Sequence, residues 1–266
     1  GNPKLDVLDI EKISDESKKN HVPLMVDNTV ATPALLNPIK YGANIVIYSL
    51  TKYINGNGTA LGGAIVDAGN FDWSSGKFPE FTTPSAGYHG LIYHDALGPA
   101  AFIAKVRVEG LRDIGAAISP FNSFQIIQGL ETLEVRMKKH SENALELATW
   151  LESREEISWV NYPGLKSSPY NSLSKKYLPN GQSGLITFGS KGGFNSAKKI
   201  ADNTTIFSLL ANIGDSKSLI IHPASTTHSQ LSEIEQLNTG VSQDLVRLSV
   251  GLENIEDLKQ DLINAF

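Results

Sequence analysis

Hydrophobic and polar positions divide the chain into short apolar runs and longer amphipathic stretches. Residues 9–20 are polar with a helical rhythm. Residues 23–27 (PLMVD) form a short apolar run that ends in a carboxylate. Residues 44–48 (NIVIY) form a β-branched run that ends at Ser49, and residues 60–66 (ALGGAIV) form a third. Apolar runs of strand length, separated by helix-length polar stretches, predict an α/β sheet with covered faces. Polar groups at the ends of such strands suit a binding site, because ligands of open α/β sheets lie beyond the carboxyl ends of the strands. Residues 69–90 are rich in Gly, Pro, Ser and aromatics and have no period. They predict a long loop, and ordered loops of that length are often functional.

From 120 to 154 the pattern turns helical. Phe121, Phe124, Ile127, Leu130 and Leu133 recur at three-residue steps, and Leu145, Leu147, Ala148 and Leu151 continue an apolar face. A helical stretch of this length predicts a bridge between two domains, broken by the NYPG of residues 161–164. Beyond it, residues 185–188, 219–221 and 245–250 read as strands, with Arg247 inside the last, and residues 253–266 read as a closing helix. The chain contains no internal repeat and no low-complexity tract.

Composition narrows the function classes. A chain of 266 residues with 41% hydrophobic and 19% charged residues can bury a sizeable core in one large domain or two modest ones. The net charge is −5, with no Lys/Arg block, so neither nucleic acid nor an anionic membrane is a natural partner. With no cysteine, disulfides, thiolate metal sites and a Cys nucleophile are excluded, and a reducing cytoplasm is compatible. No apolar run approaches the roughly 20 residues that span a bilayer. The chain opens Gly-Asn-Pro-Lys, without Met or a signal-like segment. Gly1, Asn2 and Pro3 read as a turn, so the true N-terminus is expected upstream.

Three short pieces carry the candidate chemistry: VDNT at 26–29, YSLTKY at 48–53, and DLVRLSV at 244–250. Pyridoxal phosphate (PLP) chemistry needs a lysine amine that joins the cofactor aldehyde, and burial favours the nucleophilic, uncharged amine. It needs a carboxylate at the pyridine nitrogen to keep the ring an electron sink. It also needs donors for a phosphate and the planar fork of an arginine for an amino-acid carboxylate. Lys52 follows a predicted strand between the hydroxyls of Ser49 and Thr51. Asp27 ends the neighbouring strand, where a buried carboxylate calls for a cationic partner.

Taken singly, each residue has a plainer reading. Lys52 would be a surface lysine, Asp27 the N-cap of the following turn, Ser49 and Thr51 turn hydroxyls, and Arg247 an edge-strand charge. The order in which all of them occur favours the cofactor reading. The glycines of 56–63 lack the ending of a nucleotide loop. His222 and His228, six apart, have no third ligand and the wrong spacing for one helix face, so no metal is expected. His89 and His94 are expected to be structural or exposed. Phe71, Trp73, Phe78 and Phe81 are expected to pack the 69–90 loop down.

SLTKY after VDNT resembles the signature of the Cys/Met-metabolism branch of fold-type I PLP enzymes. The likeness extends along the chain: GNFDWSSGKFPEF (69–81) with GYHG (87–90), EGLRDIGAAISPFNSF (109–124), QGLETL (128–133), NYPGL (161–165), NIGDSKSLIIHPASTTHSQLS (212–232) and VRLSVGLE (246–253) resemble the O-acetylhomoserine sulfhydrylases. The resemblance implies an α/β fold-type I PLP-dependent transferase. Residues 1–120 would be the C-terminal portion of a large domain with a mostly parallel sheet, and 121–266 a smaller C-terminal α/β domain. It implies Lys52 as the lysine that holds the cofactor and then shuttles protons. Asp27 would sit at the ring nitrogen, Ser49 and Thr51 at the phosphate, and Thr29 beside the ring. Asn2 would lie near the ring oxygen and the substrate carboxylate, with Arg247 and Ser218 at that carboxylate.

The implied activity is γ-replacement on O-acetylhomoserine by sulfide or a small thiol, giving homocysteine or methionine and acetate. The alternatives are a cystathionine γ-synthase or γ-lyase type relative, and a non-catalytic fragment. A cytoplasmic homotetramer built of active dimers is also implied. Two features depart from the family. Asn57 stands between Gly56 and Gly58, where the family usually has His. An upstream part, with a glycine-bearing phosphate loop, a ring-stacking aromatic residue, and an aromatic residue and arginine reaching a neighbour's phosphate, is not in this sequence.

Overall fold

A computed structural model describes residues 2–266. Two sheets organise the chain. The first contains β1 (Met25–Asp27), β2 (Ile45–Ser49) and β3 (Gly63–Asp67), in that order. β1 runs parallel to β2, with Asp27 opposite Ile47, and β3 runs antiparallel to β2, with Gly63 opposite Ser49. This part of the sheet is therefore mixed rather than mostly parallel. β3 returns through a local turn instead of the crossover helix a parallel strand needs. The parallel pair has the larger consequence for function, since it brings the carboxyl ends of β1 and β2, and so Asp27 and Ser49, to one edge.

The second sheet has the order β4 (Ile157–Asn161), β5 (Leu185–Ser190), β8 (Leu245–Ser249), β7 (Leu219–Ile221), β6 (Ser208–Leu209). Its central strands alternate with period two. Ile186 and Phe188 of β5, with Val246 and Leu248 of β8, are fully buried against one layer of helices. That layer is the C-terminal half of α3 (Leu133–Glu152), α4 (Gly193–Asn203) and α5 (Ile255–Ala265). They contribute Ala144, Leu147, Leu151, Ile200, Leu258 and Leu262 to the same core. Each of the leucine and isoleucine side chains among them stabilises the fold by roughly 1.5–3 kcal/mol. Arg247, between Val246 and Leu248, must then point to the opposite face, opposite Thr187 of β5. β8 is paired on both sides, so Arg247 is not an edge-strand charge.

The apolar rhythm of 120–154 resolves into two helices. α2 (Pro120–Glu131) is capped by the Ser119 hydroxyl, and Thr132 leaves helical geometry before α3 begins. Phe121, Phe124, Ile127 and Leu130 are 66%, 55%, 58% and 49% exposed, while Ile126 and Gly129 face inward. α3 packs Leu133 and Met137 with the first sheet and its later turns with the second. α1 (Ile10–Lys19) lies where the polar rhythm of 9–20 predicts a helix. In the 69–90 region, Trp73 and Phe81 are buried, and Phe102 stacks on Trp73 at 5.2 Å. The aromatics do pack this loop down. Helices not read from sequence include residues 93–97, 101–114, 171–177, 193–203 and 233–239.

Candidate functional site

The edge shared by β1 and β2 opens into a cleft of about 650 Å³, closed on its far side by residues of the second sheet's region. Asp27 and Thr29 enter it from the end of β1, and Ser49 and Lys52 from the end of β2. Asn2 and Ile213 reach it from opposite ends of the chain. Short strands that stop at the same level, followed by tight turns, put these side chains side by side.

Each turn is fixed by its own polar groups. The Thr29 amide donates to Asp27 Oδ1 at 3.0 Å. The Thr29 hydroxyl accepts from the Ser49 amide at 2.8 Å, which locks the two strand ends together. Thr29 is buried, so its role here is to join the turns. Asp27 spends one oxygen on its own turn and does not cap a helix, since residues 28–31 form only a turn. The Thr51 hydroxyl accepts from the Gly62 amide at 3.1 Å and lies 3.3 Å from the Gly62 carbonyl. Its proton can be redirected while the better of these two bonds is kept. The Ser49 side chain lines the cleft.

Lys52 has an amide oxygen for a partner, since its Nζ donates to Asn212 Oδ1. Burial lowers its pKa from the ordinary lysine value, and the nearby Arg247 charge lowers it further. Both causes disfavour the ammonium form and favour the nucleophilic amine. Arg247 crosses from β8, donating from Nη1 to Asn2 Oδ1 at 3.3 Å and from Nη2 to the Asn212 carbonyl at 3.1 Å. Burial lowers its pKa from a very high starting value, and it stays cationic. The fold thus brings Asp27, Thr29, Ser49, Lys52, Asn2 and Arg247 to one place.

Ser218 is elsewhere. It is fully buried, donates from its amide to Glu253 Oε1 at 2.6 Å and from its hydroxyl to Glu253 Oε2 at 2.8 Å, and accepts from the Gly251 amide at 2.8 Å. That closed set leaves it no capacity for a substrate carboxylate, which corrects the expectation drawn from its neighbourhood in the sequence. Asn212, six residues earlier, meets Lys52 and Arg247 instead. Its loop is held by Gly214, whose positive φ of 75° and close approach exclude a side chain: a Cβ there would lie 2.5 Å from the Tyr53 amide. That glycine was the available signal that the loop lies against the lysine turn.

The remaining candidates are structural in place. Asn57 is exposed and donates to the Asn55 carbonyl at 3.2 Å. His222 lies between the Ser225 hydroxyl and the Gln243 carbonyl, each at 2.9 Å. His94 pairs locally with Asp95 at 3.2 Å.

The sequence pattern of the Cys/Met metabolism PLP-dependent enzymes matches residues 1–266. The chain belongs to that family. Among curated members of this PLP-dependent family, it is 53% identical over 274 residues to the O-acetyl-L-homoserine sulfhydrylase of Leptospira meyeri, covering 100% of this chain and 62% of the relative. It is 48% identical over 266 residues to O-acetyl-L-homoserine sulfhydrylase 1 of Thermus thermophilus, covering 100% and 63%. The chain therefore spans somewhat less than two thirds of the length of these relatives. A solved structure named as an O-acetylhomoserine (thiol)-lyase, from Campylobacter jejuni, matches with a TM-score of 0.94 and 47% identity, covering 100% of this chain and 63% of that one. That protein carries a pyridoxyl-lysine phosphate. The likeness places this α/β chain in the fold of a PLP-dependent enzyme.

Proposed function

We propose that this chain carries the lysine-bearing half of a PLP site that performs γ-replacement on O-acetylhomoserine, with sulfide or a small thiol as nucleophile. The products would be homocysteine, or methionine from methanethiol, and acetate. One observation carries the reading: a half-buried lysine, without a carboxylate partner among the described residues, meets a carboxylate and an arginine at the joined ends of two parallel strands. A lysine held only by an amide oxygen and pushed toward its uncharged form fits an aldehyde-bearing cofactor. Asp27, with one oxygen fixed by its own turn, fits the protonated nitrogen of the ring.

When bound, PLP supplies an electron sink for charge developing on the substrate carbons. Asp27 holds the proton on the ring nitrogen. Ser49 and Thr51 donate their hydroxyls to the phosphate, and Thr29 keeps the two turns in register beside the ring. Arg247, backed by Asn2, binds the substrate carboxylate and orients the molecule, which contributes by positioning. Lys52 then removes the substrate's Cα proton and moves protons between neighbouring carbons. Acetate departs from Cγ with its bonding electrons, the sulfur nucleophile bonds to Cγ, and Lys52 returns the protons. Asn57 cannot titrate, so acid–base work rests on Lys52.

The likeness to sulfhydrylases supports the donor and nucleophile assigned here. A division into residues 1–120 and 121–266 is proposed; Ile126, Leu133 and Met137 still pack with the first sheet, and α3 joins the second core only from Ala144 onward. A cytoplasmic homotetramer of active dimers is proposed as well. The exposed apolar side of α2 supports a covered surface there. No described helix is long and apolar enough to cross a membrane.

Two measurements on the full-length protein test the reading. Borohydride reduction followed by peptide mass spectrometry is expected to place a pyridoxyl mass on Lys52. Incubation with O-acetylhomoserine and sulfide is expected to yield homocysteine and acetate. Release of 2-oxobutyrate without homocysteine would instead establish a γ-lyase, and an unmodified Lys52 would mean that this chain does not assemble the site.

A further inference from the structure

Behind the lysine lies a buried cation that the chemistry above does not use. Arg136, on α3, is 9% exposed, and among the described residues no carboxylate forms an ion pair with it. Burial lowers its pKa from the ordinary arginine value. A buried charge without a counter-charge is costly unless hydrogen bonds satisfy it. Here four bonds do so. Nη1 donates to the Tyr53 carbonyl at 2.6 Å, and Nη2 donates to the Ile54 carbonyl at 3.2 Å and the Gly129 carbonyl at 2.6 Å. Nε donates to the Thr132 hydroxyl at 3.1 Å.

Tyr53 and Ile54 directly follow Lys52. The turn they belong to is closed by the Gly56 amide donating to the Lys52 carbonyl at 2.8 Å and the Asn55 amide donating to the Leu50 carbonyl at 3.0 Å. The carbonyls of Tyr53 and Ile54 emerge from the far end of that turn, where a cation is favoured for the same reason as at a helix C-terminus. The space for the guanidinium is built in. Gly56 has a φ of 74°, and a Cβ there would lie 2.2 Å from Arg136 Nη1. The following carbonyl, Gly56 O, is held by the Ser216 amide and hydroxyl at 2.8 and 2.7 Å, so the turn is clamped from both sides.

We propose that Arg136 is a positioning residue, whose planar fork fastens the turn carrying Lys52 to α3 and thereby sets where the lysine amine stands in the cleft. It does not touch the cofactor or the substrate. The inference deepens the PLP reading and rests on it for its catalytic consequence, though the anchoring of Lys52 is testable without cofactor. Arg has the geometry for this task and Lys does not, because only the guanidinium reaches several carbonyls in one plane.

The test uses the full-length protein with Arg136→Met, Arg136→Lys and the milder Thr132→Val, which removes the Nε anchor together with the Thr132 hydroxyl's 3.3 Å bond to the Gly129 carbonyl. In cofactor-free protein, the pH at which Lys52 is half-acetylated by acetic anhydride is read by peptide mass spectrometry. In PLP-loaded protein, kcat and KM are measured. Arg136→Met is expected to move the acetylation midpoint upward by roughly half a pH unit or more, as the turn loosens and Lys52 becomes less buried. It is expected to lower kcat by about tenfold or more, with KM changed by less than about twofold. Arg136→Lys should fall between, and Thr132→Val should move both readings in the same direction by less.

Variants that melt at lower temperature yet keep the wild-type midpoint and kcat would overturn the proposal and leave Arg136 a purely structural residue. If neither Arg136 variant folds, Thr132→Val decides by the same two readings. If wild-type protein takes no PLP, the functional reading fails separately, while the acetylation midpoints still decide whether Arg136 places the lysine.

Discussion

Two polar clusters lie at the junction of the sheets, and they are built on opposite logics. Ser218, Glu253 and the Gly251 amide form a closed set in which each contributes to a bond with another. Lys52, Asn212, Arg247 and Asn2 form an open one. Among the described residues its lysine is bonded only to an amide oxygen, its arginine is spread over two uncharged acceptors, and Lys52 and Asn2 line a cleft. A closed set stabilises the fold and has nothing left to offer a ligand. An open set retains cationic capacity where an anionic substrate and an aldehyde can use it. The difference teaches that burial and polarity alone do not mark a functional group, whereas unspent bonding capacity facing a cavity does.

The largest effect expected of that contrast is at the open cluster. Lys52→Ala should lower kcat by about 10³-fold or more and abolish the borohydride adduct, with a melting temperature close to wild type. A variant that keeps measurable turnover would break the contrast at its centre.

Arg247→Gln comes next. KM for the amino-acid donor should rise about tenfold or more, since a charge-assisted bidentate contact is lost. The pH dependence should move too. The Arg247 charge is the second cause of the lowered Lys52 pKa, after burial. Removing it raises that pKa, so the amine loses its proton at higher pH and the rising limb of the rate–pH profile shifts upward. A rise in KM with an unmoved limb would separate substrate binding from the tuning of the lysine.

His140 sharpens the comparison from beneath the site. Its Nδ1 donates to the Val250 carbonyl at 2.7 Å and its ring packs edge-on to Tyr53 at 5.1 Å. Burial pushes its pKa down from 6.5 to about 4. The unfolded chain therefore binds a proton that the folded one does not between pH 6.5 and about 4. Stability falls as pH drops through that window, by ~3 kcal/mol in all. Denaturant titrations at several pH values should show that fall, and His140→Gln should flatten it.

The smallest effect belongs to the closed cluster. Glu253→Gln should cost about 1–3 kcal/mol of stability, because a half-buried charged acceptor is replaced by a weaker one. Turnover at a temperature where the variant is folded should be unchanged. A loss of turnover there would mean that the two clusters are coupled.

Much of this was readable from the chain, because it is encoded locally. The β-branched runs gave the strands around Asp27 and Ser49 to within a few residues, and the apolar run of 245–250 put Arg247 inside a strand. The order of the VDNT, SLTKY and VRLSV segments pointed to PLP chemistry. The exposed side of α2 was not readable, since a helical rhythm says which residues share a face and not what covers it. Nor was the exchange of Ser218 for Asn212. Both stand in one irregular segment, and only the close approach of Gly214 to the Tyr53 amide decides which of them meets the lysine. Arg136 was hidden for the same reason: its partners Tyr53 and Ile54 are more than eighty residues away and offer backbone carbonyls, which leave no mark in a sequence. Strand and helix follow from short-range sterics and hydrophobic period. Which polar group is spent and which is left open depends on long-range packing, and the tertiary structure alone decides it.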